Sequence, residues 1–265
     1  MDAVEFLSSE SLVRGYFFPG VHRNSVDTVL FLQGFPGMEG DELICEALAH
    51  EGWHVLTFNY RGTFRSQGLF SFSNAIADVD AALHFVQDPA FQRKTRVEPG
   101  RIVLGGWSFG SGIVPAVAAR HPELDHFFMI SGRDFNREAD RINQDLAYAE
   151  TVTRNLETVR VPNGPVRFSD DLLQDLVRNK DLFNLQKLSP LLKERSMLLI
   201  GGWDDEVSTI EDQILPIYRS LAADHAGRVR IEALQDDHEF SKSRDRLVEI
   251  IAGWLRNEQA NPAAN

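Results

Sequence analysis

One stretch constrains this chain more than any other: Arg101-Ile-Val-Leu-Gly-Gly-Trp-Ser-Phe-Gly-Ser-Gly-Ile-Val114. An apolar run, Ile102 to Leu104, enters a glycine-rich corner, and a small-residue segment from Ser111 to Arg120 leaves it with helical character. Within the corner, Gly106-Trp107-Ser108-Phe109-Gly110 has the spacing Gly-x-Ser-x-Gly. A strand that turns abruptly into a helix holds its apical residue in strained backbone, and side chains two positions either side would collide. Glycines there let the Ser108 hydroxyl stand clear at the end of a sheet. The helix that begins behind it contributes free N–H groups and a positive dipole end, which favour a developing oxyanion. A Gly-Ser turn without chemistry uses the same residues, so the rest of the chain decides between the two readings.

The strands and helices around this corner alternate. Leu12 to Phe18 reads as an edge strand, and Thr28 to Gln33 as a strand apolar on both faces, as expected where helices cover both sides of a parallel sheet. Gly40 to Gly52 has helical spacing of Leu43, Ile44, Ala47 and Leu48. A strand at Trp53 to Asn59 and a helix at Ser73 to Gln87 precede the central corner; a strand at His126 to Ile130 follows it. Beyond lie a strand at Ser196 to Ile200, a helix at about Ile210 to Ala223, a strand at Val229 to Leu234 and a helix at about Ser243 to Arg256. Such alternation predicts an α/β fold with a doubly wound, mostly parallel sheet. The expected organisation is a core of residues 1–132 and 196–258, an insertion of residues 133–195, and a disordered tail at 259–265. The insertion has no strand pattern but two amphipathic ones, Ile142, Leu146, Ala149, Val152 or Thr153, Leu156 and Val159, then Leu172, Leu173, Leu176 and Val177. Val161-Pro-Asn-Gly-Pro165 turns the chain between them, and an insertion leaving a strand's carboxyl end predicts a helical cap over the site.

A nucleophilic serine needs a base, and sites in such sheets lie outside the carboxyl ends of the strands. That rule sorts the eight histidines. His54 and His126 begin strands; His50, His84, His121 and His225 fall in helices or at their ends; His22 is in an early loop. Only His238 follows a strand at its carboxyl end. Its imidazole needs a carboxylate to hold its tautomer. Asp204 and Asp205 both lie just beyond the strand ending near Ile200, and Asp134 follows the preceding one. The order Ser108, Asp204, His238 matches the hydrolase template. Oxyanion donors are expected from the turn Leu32-Gln-Gly-Phe-Pro-Gly37, where Pro36 lacks an N–H and Phe35 is the donor, paired with Phe109.

The chain resembles the α/β-hydrolase fold family, and within it the dienelactone-hydrolase-like and serine-peptidase-like members. The resemblance rests on Gln33-Gly-Phe-Pro-Gly37, Asn59-Tyr-Arg-Gly62 with Ser66 and Gly68, Gly106 to Gly110, Gly201-Gly-Trp-Asp-Asp-Glu-Val207 and Asp237-His-Glu239. It runs from about Val13 to Leu255 and is weakest in the insertion. It implies hydrolysis of esters, thioesters, lactones or peptides through an acyl-enzyme, with the first Asp of the pair, Asp204, as the acid. Gln33 stands where that family often has a histidine bracing the oxyanion turn.

Together these readings predict a cofactor-independent serine hydrolase of esters or thioesters, with no metal: Ser108 nucleophile, His238 base, Asp204 orienting acid, Phe35 and Phe109 oxyanion donors, and Trp107 against the substrate. A small amidase of aminopeptidase type is the second expectation, and a ligand-binding homologue without turnover the third. The expected partner is a small acyl substrate; neither the substrate's identity nor the oligomeric state follows from these residues. A net charge of -12 argues against nucleic acid or an anionic membrane as partner. The single cysteine, Cys45, excludes an internal disulfide. The first residues lack the basic and apolar regions of a secretory signal, and no run approaches the length of a membrane span, so a cytoplasmic location is expected.

Overall fold

A computed structural model describes residues 1–21, 27–37, 39–95, 97, 100–160, 165–223 and 228–260. Eight strands form one sheet: β1 (Asp2–Ser8), β2 (Ser11–Phe18), β3 (Thr28–Leu32), β4 (His54–Asn59), β5 (Ile102–Trp107), β6 (His126–Ile130), β7 (Ser196–Gly202) and β8 (Val229–Leu234). Their order across the sheet is β1-β2-β4-β3-β5-β6-β7-β8. The β1–β2 and β2–β4 pairs are antiparallel and the rest parallel. The segment Leu12 to Phe18 is therefore not at the edge. β1 covers it, and its alternate residues Val4, Phe6 and Ser8 point inward.

The helices are α1 (Glu39–His50), α2 (Phe72–Gln87), α3 (Pro89–Thr95), α4 (Phe109–Ala118), α5 (Phe135–Gln144), α6 (Leu146–Val159), α7 (Leu172–Asn179), α8 (Leu185–Leu192), α9 (Leu215–Ala222) and α10 (Arg244–Ala260). The period-2 geometry of the strands divides the core into two layers. Val29, Phe31, Val103, Phe128, Ile130, Leu198 and Ile200 pack with α1 and α10 on one face. Leu30, Leu32, Leu104, Phe127, Met129, Met197 and Leu199 pack with α2, α4, α8 and α9 on the other. Because both faces are covered, the middle strands read as unbroken apolar runs. Among the described residues, no helix is long and apolar enough to cross a membrane.

The segment between β6 and β7 differs from its expected form in two ways. Its first amphipathic stripe is not one helix. Asp145 takes extended backbone, ends α5, and caps α6 by accepting from Tyr148 N at 3.0 Å, so the chain turns there. Leu146, counted on the stripe, is 79% exposed as a result. Secondly, α8 packs against α4 and α9, and among the described residues it is α5, α6 and α7 of this segment that put side chains against the cavity bordered by Ser108. The Val161–Gly164 part of the expected turn lies outside the described residues. At the far end, α10 continues through Gln259, whose Nε2 donates to Asp27 Oδ2 at 2.7 Å; only 261–265 of the expected tail fall outside the described residues.

Candidate active site

The corner between β5 and α4 shows why its glycines are required. A Cβ on Gly106 would lie 2.5 Å from the Gly110 carbonyl carbon, and one on Gly110 would lie 2.1 Å from Leu32 O. Backbone crosses backbone at both positions, so no side chain fits. Ser108 between them has φ 49°, a left-handed conformation strained for a residue with a Cβ. Its N–H donates to Ile130 O at 2.8 Å, and its carbonyl accepts from Gly112 N at 3.1 Å. Ser111 ties the corner to β6, its hydroxyl 2.5 Å from Gly106 O and accepting from Ile130 N at 2.8 Å. The Ser108 hydroxyl makes no capping bond to α4 and borders a cavity of about 340 Å³.

His238 borders the same cavity. It stands in the loop after β8, and that loop is held by carboxylates on either side of its backbone. Asp236, fully buried, accepts from Lys242 N, Ser243 N and Ser243 Oγ, clamping the loop to the start of α10. Asp237 accepts from Glu239 N and Ser241 N. Burial works against the charge of Asp236, but the Ser243 hydroxyl and three backbone N–H groups outweigh it and hold its pKa below the usual range. Both supporting roles escaped the sequence reading, although acidic residues immediately before a histidine and a helix start are a usable signal.

The carboxylate on His238 belongs to Asp205, not Asp204. His238 Nδ1 lies 2.8 Å from Asp205 Oδ2, the histidine 16% and the aspartate 0% exposed in their side chains. Asp205 Oδ1 accepts from Val207 N at 2.8 Å and Ser208 N at 2.6 Å. Burial raises the pKa of Asp205, but the bonds from His238 and Ser208 more than compensate, and the group titrates below the usual carboxylate range. Asp204 faces away: its Oδ1 accepts from Gln235 Nε2 at 2.6 Å in an exposed position. The backbone explains the one-residue shift. Trp203 N donates to Leu234 O and Asp204 N to Asp236 O, while Asp205 N closes a turn on Gly202 O, so Asp204 stands inside the turn beside the loop after β8 and Asp205 follows it. Asp134, the third acid considered, caps α5 by accepting from Asn136 N and Arg137 N.

The turn after β3 lies opposite. Phe35 and Phe109 border the cavity, and among the described residues neither N–H donates to a carbonyl or side chain. Gln33, at the position where the family it resembles often has a histidine, braces this turn from below: it is buried, its Nε2 donates to Thr57 Oγ1 at 3.2 Å, and its main-chain carbonyl accepts from Tyr60 Oη at 3.1 Å. Phe109 is the centre of a ring cluster, 5.2 to 6.0 Å from Phe35, Tyr60, Phe70, Phe72 and Phe135, which immobilises the start of α4. Trp107 borders the cavity, yet its side chain is 2% exposed and meets Phe240 edge-on in the core. Among the described residues the remaining histidines stand apart from the site. His54 accepts from Gly20 N, His121 pairs with Asp80 and Glu123, and His126 pairs with Glu258; His22 and His225 lie outside the described residues. Among the described residues no group of three or more His, Cys, Asp or Glu side chains could hold a metal ion.

The covering helices are unevenly anchored. Asp175 on α7 accepts from Ser73 N and Ser73 Oγ at the start of α2, and Arg167 exchanges backbone bonds with Gly62 and Phe70. In contrast, α6 has no buried residue. Its Leu156 borders the central cavity and two neighbouring ones of about 550 and 480 Å³.

A sequence profile described as alpha/beta hydrolase fold matches residues 27–208. The chain belongs to that family. Est1E from Butyrivibrio proteoclasticus superposes with a TM-score of 0.73 at 14% identity, covering 98% of this chain and all of that one. The Pyrococcus furiosus esterase Pf2001 superposes with a TM-score of 0.69 at 16% identity, over 97% of this chain and 92% of that one. At such identities the likeness concerns the fold. An uncharacterized protein of Rickettsia prowazekii is 30% identical over 138 residues, 49% of this chain and 55% of that protein. The matches to such curated relatives span about half of their length or less.

Proposed function

We propose that this member of the family is a serine hydrolase of carboxylic esters or thioesters that works through an acyl-enzyme. The observation that carries the reading is the 2.8 Å bond from His238 Nδ1 to a fully buried carboxylate, with His238 and the strained Ser108 bordering one cavity. With Nδ1–H engaged by Asp205, Nε2 is the basic nitrogen. It takes the Ser108 proton as the hydroxyl attacks the substrate carbonyl, then delivers it to the leaving alcohol or thiol. Asp205 keeps the ring in that tautomer and stabilises the imidazolium. The N–H groups of Phe35 and Phe109 receive the carbonyl oxygen as it becomes negative, backed by the N-terminal end of α4. Water activated by the same histidine releases the acid, and no step calls for a cofactor. The similarly folded Pf2001 protein is named an esterase, which is consistent with this chemistry, and the aromatic wall of Phe35, Phe72, Phe109 and Phe135 suits an apolar acyl group.

A fluorophosphonate probe tests the assignment directly. It should label wild-type protein at Ser108, leave Ser108→Ala unlabelled, and be blocked by a short p-nitrophenyl ester that the wild type turns over. Wild-type protein that neither reacts with the probe nor hydrolyses esters would remove the reading.

A further inference from the structure

The cavity of Ser108 and His238 also holds a charged pair that acyl transfer does not use. Arg133 follows shortly after β6, and Glu138 is in the first turns of α5; both border this cavity and its neighbour beneath α6. Their contact is loose. Arg133 Nη2 lies 3.4 Å from Glu138 Oε2, with the side chains 22% and 11% exposed. The close bond goes to the other oxygen, where Tyr148 Oη donates to Glu138 Oε1 at 2.7 Å. Burial and that acceptor push the Tyr148 hydroxyl up to about 12, so it remains a donor. The Arg141 guanidinium lies 3.7 Å over the Tyr148 ring. Glu138 is thus held in place, while Glu138 is the one polar partner of the Arg133 guanidinium among the described residues.

Withdrawing an ion pair from water costs several kcal/mol per ion, and apolar replacements are often neutral or stabilising. A pocket meant only for hydrocarbon would gain by having them. The pair is therefore better understood as a recognition element, and its charges limit what it can recognise. Glu138 and Glu239 both border the cavity against the single cation Arg133, so a carboxylate would meet two like charges for one opposite. An ammonium group has the two carboxylates in its favour, but it can only donate, so taking Glu138 would strip Arg133 of its polar partner. A neutral hydroxyl avoids both penalties, since its oxygen accepts from Arg133 while its proton goes to Glu138 Oε2.

We propose that the Arg133–Glu138 pair recognises a hydroxyl group on the apolar part of the substrate that this cavity encloses. This rests on the ester-hydrolase reading above and specifies its substrate class as esters of hydroxylated, otherwise apolar acids. The discrimination should be about ten- to a hundredfold. It falls short of the ~10⁴ or more seen where a missing hydroxyl strands buried groups, because Arg133 and Glu138 still have each other.

The test uses matched methyl esters: 6- and 8-hydroxyalkanoates against the unsubstituted alkanoates, and 3-(4-hydroxyphenyl)propanoate against 3-phenylpropanoate. Wild type should favour the hydroxylated member of at least one pair by tenfold or more in kcat/KM. Arg133→Met and Glu138→Leu should each bring that ratio near one, and Arg133→Lys should retain part of it. A purely structural role would lower both esters together and leave the ratio alone. Binding of the same methyl esters to Ser108→Ala, measured by calorimetry, reads the same preference without turnover. Equal turnover within every pair, a preference that survives Arg133→Met, or equal or undetectable binding of the paired esters overturns the proposal. Absence of all ester hydrolysis instead overturns the catalytic reading, and the binding measurement still decides this one.

Discussion

Replacing Asp205 with Asn is the most informative perturbation of the site, because it changes one proton and almost no shape. In the native arrangement Asp205 Oδ1 accepts from Val207 N and Ser208 N, and Oδ2 accepts from His238 Nδ1 at 2.8 Å. An asparagine keeps its carbonyl oxygen on the two backbone N–H groups, which leaves its NH2 facing Nδ1. The ring must then accept at Nδ1 and carry its proton on Nε2, the nitrogen proposed as the base. The same exchange in the well-studied serine-protease triad lowers kcat about 10⁴-fold, equivalent to about 5.4 kcal/mol. Asp205→Asn should show a loss of that order with a short p-nitrophenyl ester and retain the wild-type circular dichroism. Asp204→Asn should lose less than about threefold, since the amide oxygen can still accept from Gln235 Nε2 at an exposed site. Stability supplies an independent check. The folded pKa of Asp205 lies below its unfolded value of about 4. Its ionised form therefore contributes stability above about pH 4, which is lost as pH falls through the folded value. Asp205→Asn should flatten the acid limb of the unfolding curve in that window. Turnover surviving in Asp205→Asn, or collapsing in Asp204→Asn, would refute the assignment.

Three other outcomes follow from packing. Leu156→Ala should join the central cavity to its two neighbours, raising kcat/KM for eight- and ten-carbon esters relative to acetate in a chain-length panel. Asp78→Ala should cost about 3–5 kcal/mol in urea unfolding, because it strands the Arg61 guanidinium that Asp78 holds at 2.5 Å with both side chains buried. Gly253→Ala on α10, where an added Cβ meets nothing within 4 Å, should stabilise by about 0.5–1 kcal/mol, whereas Gly110→Ala should cost about 3 kcal/mol or more because its Cβ would strike Leu32 O.

What could be read from the chain beforehand follows from how local each signal is. β3, β5 and β7 are buried on both faces, so their apolar runs stand out in sequence; the corner at Ser108 is legible because backbone crossings at Gly106 and Gly110 admit no side chain. β1 was missed because the inward Val4 and Phe6 alternate with Ala3, Glu5 and an exposed Leu7, so residue type does not mark the outward side as polar. The amphipathic stripe through Leu146 and Leu156 predicted helix correctly but not what covers it. Periodicity reports that a face is apolar, not whether anything lies against it, and α6 turned out to bury no residue. The loop carboxylates Asp236 and Asp237 leave a weaker mark for a related reason. Most of their partners are backbone N–H groups, which every residue has, and only the hydroxyls of Ser241 and Ser243 and the helix start that follows signal them in residue types.

The acid shows the same limit most sharply. Two adjacent aspartates after β7 invited a division of labour, one orienting His238 and the other capping the segment that follows. The structure gives both tasks to one carboxylate: Asp205 Oδ1 caps Val207 and Ser208 while Oδ2 holds His238. The division failed because Asp204 lies inside the turn that Asp205 N closes on Gly202 O. There Asp204 N bonds to Asp236 O and its carboxylate to Gln235, on the β8 side, and Asp205 is the first acid beyond the turn. Uniting the tasks has a consequence for rigidity. The caps fix the carboxylate plane before any substrate arrives, so the oxygen offered to His238 does not have to be ordered during catalysis. A serine at position 205 could still cap, but it would leave the imidazolium without a countercharge. Holding shape and supplying charge are separable in principle, and this turn combines them in a single side chain.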